Sequence, residues 1–202
     1  MASRPQRRYS LDDYFAVEAS SAIRHEYTNG EIFAMAGASV AHNHIAANVL
    51  THLRTALRGT PCSAFGSDLR LATPGGLYTY PDVMVIFGPP TLVSGRPDTV
   101  TNPALLVQVL SEATRDYDHG EKLVAYQSIP TLREILLVEQ DAVGIERVHR
   151  EAATWLREAV GKLDAVVHLT SVDVALPLAE VYREVFGGSP DRVGHGPRKA
   201  RS

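Results

Sequence analysis

A chain of 202 residues that is 45% hydrophobic and 21% charged has the composition of an ordinary globular domain, which sets aside disordered and fibrous classes. Its formal net charge of −3 and pI near 6.2 exclude a protein that coats nucleic acid through a uniformly basic surface, and leave room for a local basic cleft. No apolar run approaches the roughly 18 residues needed to cross a bilayer, and the start MASRPQRRYS lacks the apolar block of a secretory signal, so the expectation is a cytoplasmic protein with no membrane partner.

In chain order, residues 1–8 and 187–202 are rich in Gly, Pro, Ser and cations, and read as flexible tails around one domain spanning 9–186. Ser10 caps a short helix whose apolar residues include Leu11, Tyr14, Phe15 and Val17. In RHEYTNGEIFAMAG, Asn29-Gly30 predicts a tight turn between two strands, with Tyr27 and Glu31 beside it. From Ser39 to Arg58, Ile45, Val49, Leu53 and Leu57 fall on one stripe of a long amphipathic helix, which Gly59 and Pro61 end.

CSAFGSDLRLAT follows, with Cys62 as a buried strand thiol; a lone cysteine can neither close an internal disulfide nor build a cysteine-based zinc site. TYPDVMVIF (79–87) and the apolar run that begins at Asn102 read as central strands, joined by the Gly/Pro-rich connection GPPTLVSGRPDTVTNP. A helix near 118–128 has Asp118 and Glu121 at capping-box spacing and stops before Pro130. EILLVEQ, VGIERVHRE and TWLREAVG predict three more strands, and LPLAEVYREVF a closing helix with Pro177 near its first turn. The sum is a mixed α/β sheet flanked by helices, preceded by an N-terminal helix and a β-hairpin.

Each of the two central strands carries one hydrophilic side chain among apolar ones, Asp82 and Gln108, and such groups cost free energy unless something pairs with them. Asp82 shares a face with Met84 and Ile86, and Gln108 with Leu106 and Leu110, so neighbouring strands would project both into one cleft. Lys122, one turn before Tyr126, can return its ammonium to that cleft. A carboxylate, a second oxygen donor and a lysine are the groups that metal-assisted phosphodiester hydrolysis uses.

This order, P-D on one strand, an acid position followed by V-L-S on the next, then D-x-x-x-K-x-x-x-Y on a helix, resembles the Uma family of bacterial restriction-endonuclease-like proteins, a branch of the PD-(D/E)XK nuclease superfamily. HEYTNGEIFAMAG, AHNHIAANVL, YPDVMVIF, RDYDHGEKLVAYQ and LREILLVEQ carry the resemblance across roughly residues 9–186. It implies a restriction-endonuclease-like core and a DNA endonuclease, homodimeric, with Mg²⁺ or alternatively Mn²⁺ as cofactor. Asp82 and Glu31 would bind the metal, and Lys122 would be the lysine displaced onto a helix. Gln108 stands where the family has Glu; it keeps a carbonyl oxygen but brings no charge, so it implies a weakened metal ligand. The other reading is a catalytically inactive nuclease-fold module that binds nucleic acid or dimerises.

Blander roles compete at each position. Asp82 also suits a cap on backbone groups, Gln108 a buried amide, Lys122 a solvated helix residue and Glu31 an exposed turn neighbour. His42 and His44 lack a convincing third ligand and read as capping or core residues, while Arg70 and Arg115 read as surface ion-pair partners. No G-x-S-x-G elbow, phosphate loop, H-E-x-x-H or dinucleotide fingerprint occurs.

Overall fold

The computed structural model describes residues 8–35 and 37–186. Apart from Arg8, the segments 1–8 and 187–202 read as tails lie outside the described residues. No helix among the described residues is long and apolar enough to cross a membrane.

Helix α1 (Leu11–Ser20) starts in a capping box in which the Ser10 hydroxyl accepts from the Asp13 N–H while the Asp13 carboxylate accepts from the Ser10 N–H. Strands β1 (His25–Thr28) and β2 (Glu31–Ala34) form the predicted hairpin, and Asn29 and Gly30 take the positive φ values, 52° and 84°, that a two-residue turn of this kind requires. Helix α2 (Val40–Ala56) is capped by Ser39, and its stripe of Ile45, Val49 and Leu53 is fully buried.

The next segment alternates between two sheets. β3 (Cys62–Gly66), β6 (Val83–Phe87) and β9 (Pro103–Leu110) join β10 (Glu134–Glu139), β11 (Ile145–Glu151) and β12 (Thr154–Val160) in a six-stranded sheet of order β12-β11-β10-β9-β6-β3. Only β9 and β10 run parallel in it. β4 (Arg70–Ala72), β5 (Tyr78–Thr79), β7 (Leu92–Val93) and β8 (Arg96–Val100) join the hairpin in a second sheet of order β2-β1-β5-β4-β8-β7. β13 (Val166–Leu169) and β14 (Val174–Pro177) form a separate hairpin, followed by the single turn α5 (Leu178–Val181).

Alternation along β6 and β9 sorts side chains between two cores. Val83, Val85, Leu105, Val107 and Val109 pack with α2, β13, β14 and α5 on one face. Met84, Ile86, Leu106 and Leu110 pack on the other face with Leu123 and Tyr126 of α4 (Glu121–Gln127). All eight residues of β9 are buried, as befits a central strand covered on both sides.

Four expectations are corrected. Residues 79–87 are not one strand: Thr79 ends β5 in the second sheet and Val83 begins β6 in the first, with Pro81 and Asp82 at the bend, where a proline lacks the N–H to continue a ladder. The Gly/Pro-rich connection contains the β7–β8 hairpin, turned by Gly95 at φ 73°. The helix near 118–128 begins earlier, as α3 (Arg115–His119), and breaks at Gly120, so Asp118 lies inside a helix instead of capping one. The closing helix is one turn long, and its first residues belong instead to β14, the second strand of a hairpin of two four-residue strands too short to show a clear period.

Candidate functional site

Asp82 sits where the chain passes from one sheet into the other. β6 pairs with β9 only as far as Val83 opposite Val107, leaving the Val109 N–H without a backbone partner on that side; Asp82 Oδ2 accepts it at 2.7 Å. The same oxygen accepts from the Gln108 side-chain amide at 3.2 Å. Asp82 Oδ1 faces His42 Nε2 at 3.4 Å. Burial disfavours the His42 imidazolium, but the hydrogen bond and charge of Asp82 outweigh that, and His42 has a pKa above its ordinary value.

Gln108 is 8% exposed, with its amide oxygen toward the Tyr126 hydroxyl, a long contact of 3.4 Å. Lys122, one turn before Tyr126 on the same face of α4, is 4% exposed. Its ammonium meets Glu26 Oε1 at 2.8 Å and Asp118 Oδ1 at 3.4 Å. Burial pulls its pKa down, while Tyr126, Glu26 and Asp118 raise it further, so Lys122 remains a cation in the interior.

Glu26 comes from β1 and also accepts from the Thr79 hydroxyl of β5. Asp118 is 2% exposed, and neither of its oxygens has a well-formed hydrogen bond; Lys122 and the Thr114 hydroxyl are its polar neighbours. Desolvation raises its pKa, and Lys122 only partly offsets this. The charge of Asp118 also acts on His42, joining the two halves of the pocket electrostatically.

Asp82 and Gln108 thus meet directly, and Lys122 is linked to them only through Tyr126, whose hydroxyl faces Gln108, in a polar region between the two sheets and α4. Glu31 is not drawn in. It opposes Thr28 on the edge strand β2 and makes no side-chain hydrogen bond or ion pair among the described residues. The hairpin's acid in the pocket is Glu26, because β1 is the inner strand, paired on its far side with β5 at Tyr27 and Tyr78. Sequence reasoning missed Glu26, His42 and Asp118. Asp118 had a signal, its spacing of four from Lys122 in D-x-x-x-K, but its role was read from its spacing of three to Glu121, as a cap.

Arg70 is not a surface cation: it is buried against Glu18, Tyr80 and Thr99 at 3.0, 2.7 and 3.2 Å and lies beside the rings of Tyr14 and Phe15. Arg115 does form a partly exposed ion pair, with Glu139. Cys62 is half-buried on β3 against the core.

The donors of this pocket are hard oxygens with one imidazole nitrogen, the kind that suits Mg²⁺ or Mn²⁺ and not a thiophilic ion. Asp82 Oδ1 is free of hydrogen-bond donors other than His42, and the Asp118 oxygens, though Lys122 lies 3.4 Å from Oδ1, accept no well-formed hydrogen bond. Among the described residues no three His, Cys, Asp or Glu side chains are grouped closely enough to hold a metal. A carboxylate at 108 would join His42 and Asp82; the amide stands one anionic ligand short. Asp82, through Oδ1, is the residue that would hold the ion; Gln108 turns its amide N–H to Asp82 and its carbonyl to Tyr126.

The Uma2 family model, described as "Putative restriction endonuclease", matches residues 11–179. Two proteins of Synechocystis sp. are similar in sequence. One, "Uncharacterized protein sll1609", is 34% identical over 139 residues, 68% of this chain and 78% of its own. The other, "Uncharacterized protein slr1290", is 32% identical over 186 residues, 90% of this chain and 95% of its own. The crystal structure of a protein from Anabaena variabilis, described as "a putative nuclease belonging to DUF820", superposes with a TM-score of 0.70 at 16% identity, covering 85% of this chain and 96% of that one. That likeness shows that the two chains share one mixed α/β fold. With the family model spanning most of its length, the chain belongs to the Uma2 family of restriction-endonuclease-like proteins.

Proposed function

We propose that the protein is a divalent-metal-dependent endonuclease that hydrolyses phosphodiester bonds of DNA in the cytoplasm, with a metal site weakened by Gln108. The observation that carries this reading is the meeting at 3.2 Å of Asp82, at the bend before β6, and Gln108 of the neighbouring strand β9, with the buried cation Lys122 beyond Tyr126. When bound, Mg²⁺ or Mn²⁺ supplies an activated water and counters charge developing on the phosphate. The chain's own residues do the rest. The Val109 N–H and the Gln108 amide fix the orientation of Asp82, leaving Oδ1 toward the pocket. Glu26 and Asp118 hold Lys122 charged and aimed, ready to orient a water or to offset charge at phosphorus. The low exposure of Gln108, Lys122 and Glu26 strengthens each interaction by excluding bulk water. A homodimer would place one such site on each strand of a duplex.

One feature favours a second reading. The Gln108 amide satisfies Asp82 by hydrogen bonding without any cation, as expected of a silenced nuclease fold kept for nucleic-acid binding or dimerisation.

Supercoiled plasmid incubated with Mg²⁺ or Mn²⁺ separates the two. The nuclease reading expects slow cleavage by the native chain, loss in Asp82→Ala and a gain of about tenfold or more in Gln108→Glu. Cleavage confined to Gln108→Glu supports the silenced site. No cleavage by any of the folded proteins overturns the nuclease reading, and light scattering reports the oligomeric state.

A further inference from the structure

The register of the N-terminal hairpin fixes which way its side chains project. Opposed residues of an antiparallel pair lie on one face, so Phe33, opposite Glu26, and Glu31, opposite Thr28, share the face that Glu26 turns toward Thr79 and Lys122. Tyr27 and Ile32 take the other face and pack against Tyr14 and Tyr78. Because β2 is the edge of its sheet, its site-facing side chains have no strand beyond them. Phe33 is 48% exposed, and Glu31 makes no side-chain hydrogen bond or ion pair among the described residues. One strand spacing separates Phe33 from Glu26 and a second separates Glu26 from Thr79, three residues before Asp82. Phe33 thus stands roughly 10 Å from the start of the Asp82 bend, about three nucleotide steps at the ~3.4 Å rise of a stacked strand. From α3, the partly exposed ring of Tyr117 lies 5.7 Å from the Lys122 ammonium, itself 2.8 Å from Glu26.

An exposed ring two residues from an unpaired carboxylate, on one face, suits a ligand with a π-face and polar edges. Every nucleobase stacks on an aromatic ring, and a carboxylate accepts from the exocyclic amine of cytosine or adenine, a group that thymine lacks. A base paired in a duplex hides its face in the stack, so only an unpaired base is open to the ring. A second copy of the chain fits this edge less well. In each antiparallel register that overlaps β2 with itself, Glu31 would stand opposite Phe33, Met35, Gly37 or another Glu31, none with a side chain that donates to it. We infer that Phe33 and Glu31 bind an unpaired, amine-bearing nucleobase beside the candidate site, Phe33 by stacking and Glu31 by accepting from the amine. The protein then engages single-stranded or locally opened DNA in preference to intact duplex. This rests on the nuclease reading and names the DNA that suits it.

Fluorescence anisotropy reads binding of end-labelled oligo-deoxycytidine, oligo-deoxythymidine and a duplex, in chelator so that no strand is cut. The proteins are the native chain, Phe33→Ala, Phe33→Leu, Phe33→Tyr and Glu31→Ala, with thermal unfolding as a check that each is folded and light scattering for oligomeric state. The native chain should bind oligo-deoxycytidine about tenfold more tightly than duplex, and more tightly than oligo-deoxythymidine. Phe33→Ala and Phe33→Leu should lose about tenfold on both single strands with duplex binding unchanged, while Phe33→Tyr keeps the native affinity. Glu31→Ala should lose the preference for cytosine and bind oligo-deoxythymidine as before.

Single-strand affinity retained by a folded Phe33→Ala, or lost equally on duplex, overturns the inference and leaves the nuclease reading intact. So does a native dimer that Phe33→Ala splits, since the ring then belongs to a contact between copies. Duplex bound by the native chain at least as tightly as single strands overturns it without any variant. A cytosine preference kept by Glu31→Ala overturns the role of that carboxylate. Binding to none of the three DNAs overturns the inference together with the DNA-endonuclease reading beneath it.

Discussion

Gln108 donates its side-chain amide to the same Asp82 oxygen that accepts the Val109 backbone N–H. One carboxylate thus finishes a strand ladder and, under the proposed function, binds the metal, and the residue beside it sets whether that carboxylate is satisfied without a cation. With an amide the pair is satisfied; with a second carboxylate it is not.

Gln108→Glu should accordingly be less stable than the native chain when divalent ions are chelated, by about 1 to 3 kcal/mol, because a donor is lost and two anions face each other. Added Mn²⁺ should restore its unfolding temperature by mass action, a rescue larger than that of the native chain. Differential scanning calorimetry with and without chelator measures both. Equal stability of the two chains in chelator would contradict the hydrogen-bond geometry.

Lys122 and Asp118 should respond in opposite directions. Lys122→Met leaves Glu26 and Asp118 buried without their cation, at a cost of about 3 to 5 kcal/mol. Asp118→Asn should be neutral or mildly stabilising at neutral pH. Burial raises the folded-state pKa of Asp118 above its unfolded value, so its ionised form opposes folding as the pH rises past the ordinary carboxylate range. Urea unfolding near neutrality and again near pH 4 should show any advantage of the amide shrinking in acid.

Glu18 sets an acid limit. Burial pushes its pKa up, but hydrogen bonds from Tyr80 and His25 and the charge of Arg70 bring it below the ordinary 4.5. Its contribution is therefore complete above that unfolded-state value and is lost as the pH falls through the lower folded one. Glu18→Gln should destabilise the protein by about 3 kcal/mol at neutral pH, since Arg70 stays buried with only the more distant and exposed Asp98 as a carboxylate partner. The difference should narrow in strong acid, which a pH series of thermal unfolding tests.

Gly120→Ala should disturb the site from outside it. A Cβ at this position would sit 2.9 Å from the Asp116 carbonyl oxygen, so the junction between α3 and α4 must shift. A loss of about 1 to 3 kcal/mol is expected, with weaker positioning of Lys122 two residues on. An alanine variant with native stability would show that the junction yields freely.

Much of the frame could be read from local chemistry. Asn29-Gly30 dictates a tight hairpin turn, and the four-residue spacing of Ile45, Val49 and Leu53 dictates α2, because each pattern depends only on neighbours in the chain. Asp82 and Gln108 stood out as polar groups in apolar runs. What could not be read depends on which strand lies in which sheet. Glu26 and Glu31 flank one turn and are alike in sequence; only the pairing of β1 with β5 buries the first and leaves the second at an edge. His42 belongs to a helix distant in the chain, and its meeting with Asp82 follows from how α2 crosses the sheet.

The bend at Pro81 and Asp82 couples architecture to reactivity. Because the backbone turns there from one layer into the next, the residue to which the proposed function assigns the cation is also the pivot on which both layers hang. Any replacement must satisfy two demands at once, a joint that holds the layers in register and an anion presented at the right angle, so few side chains could serve.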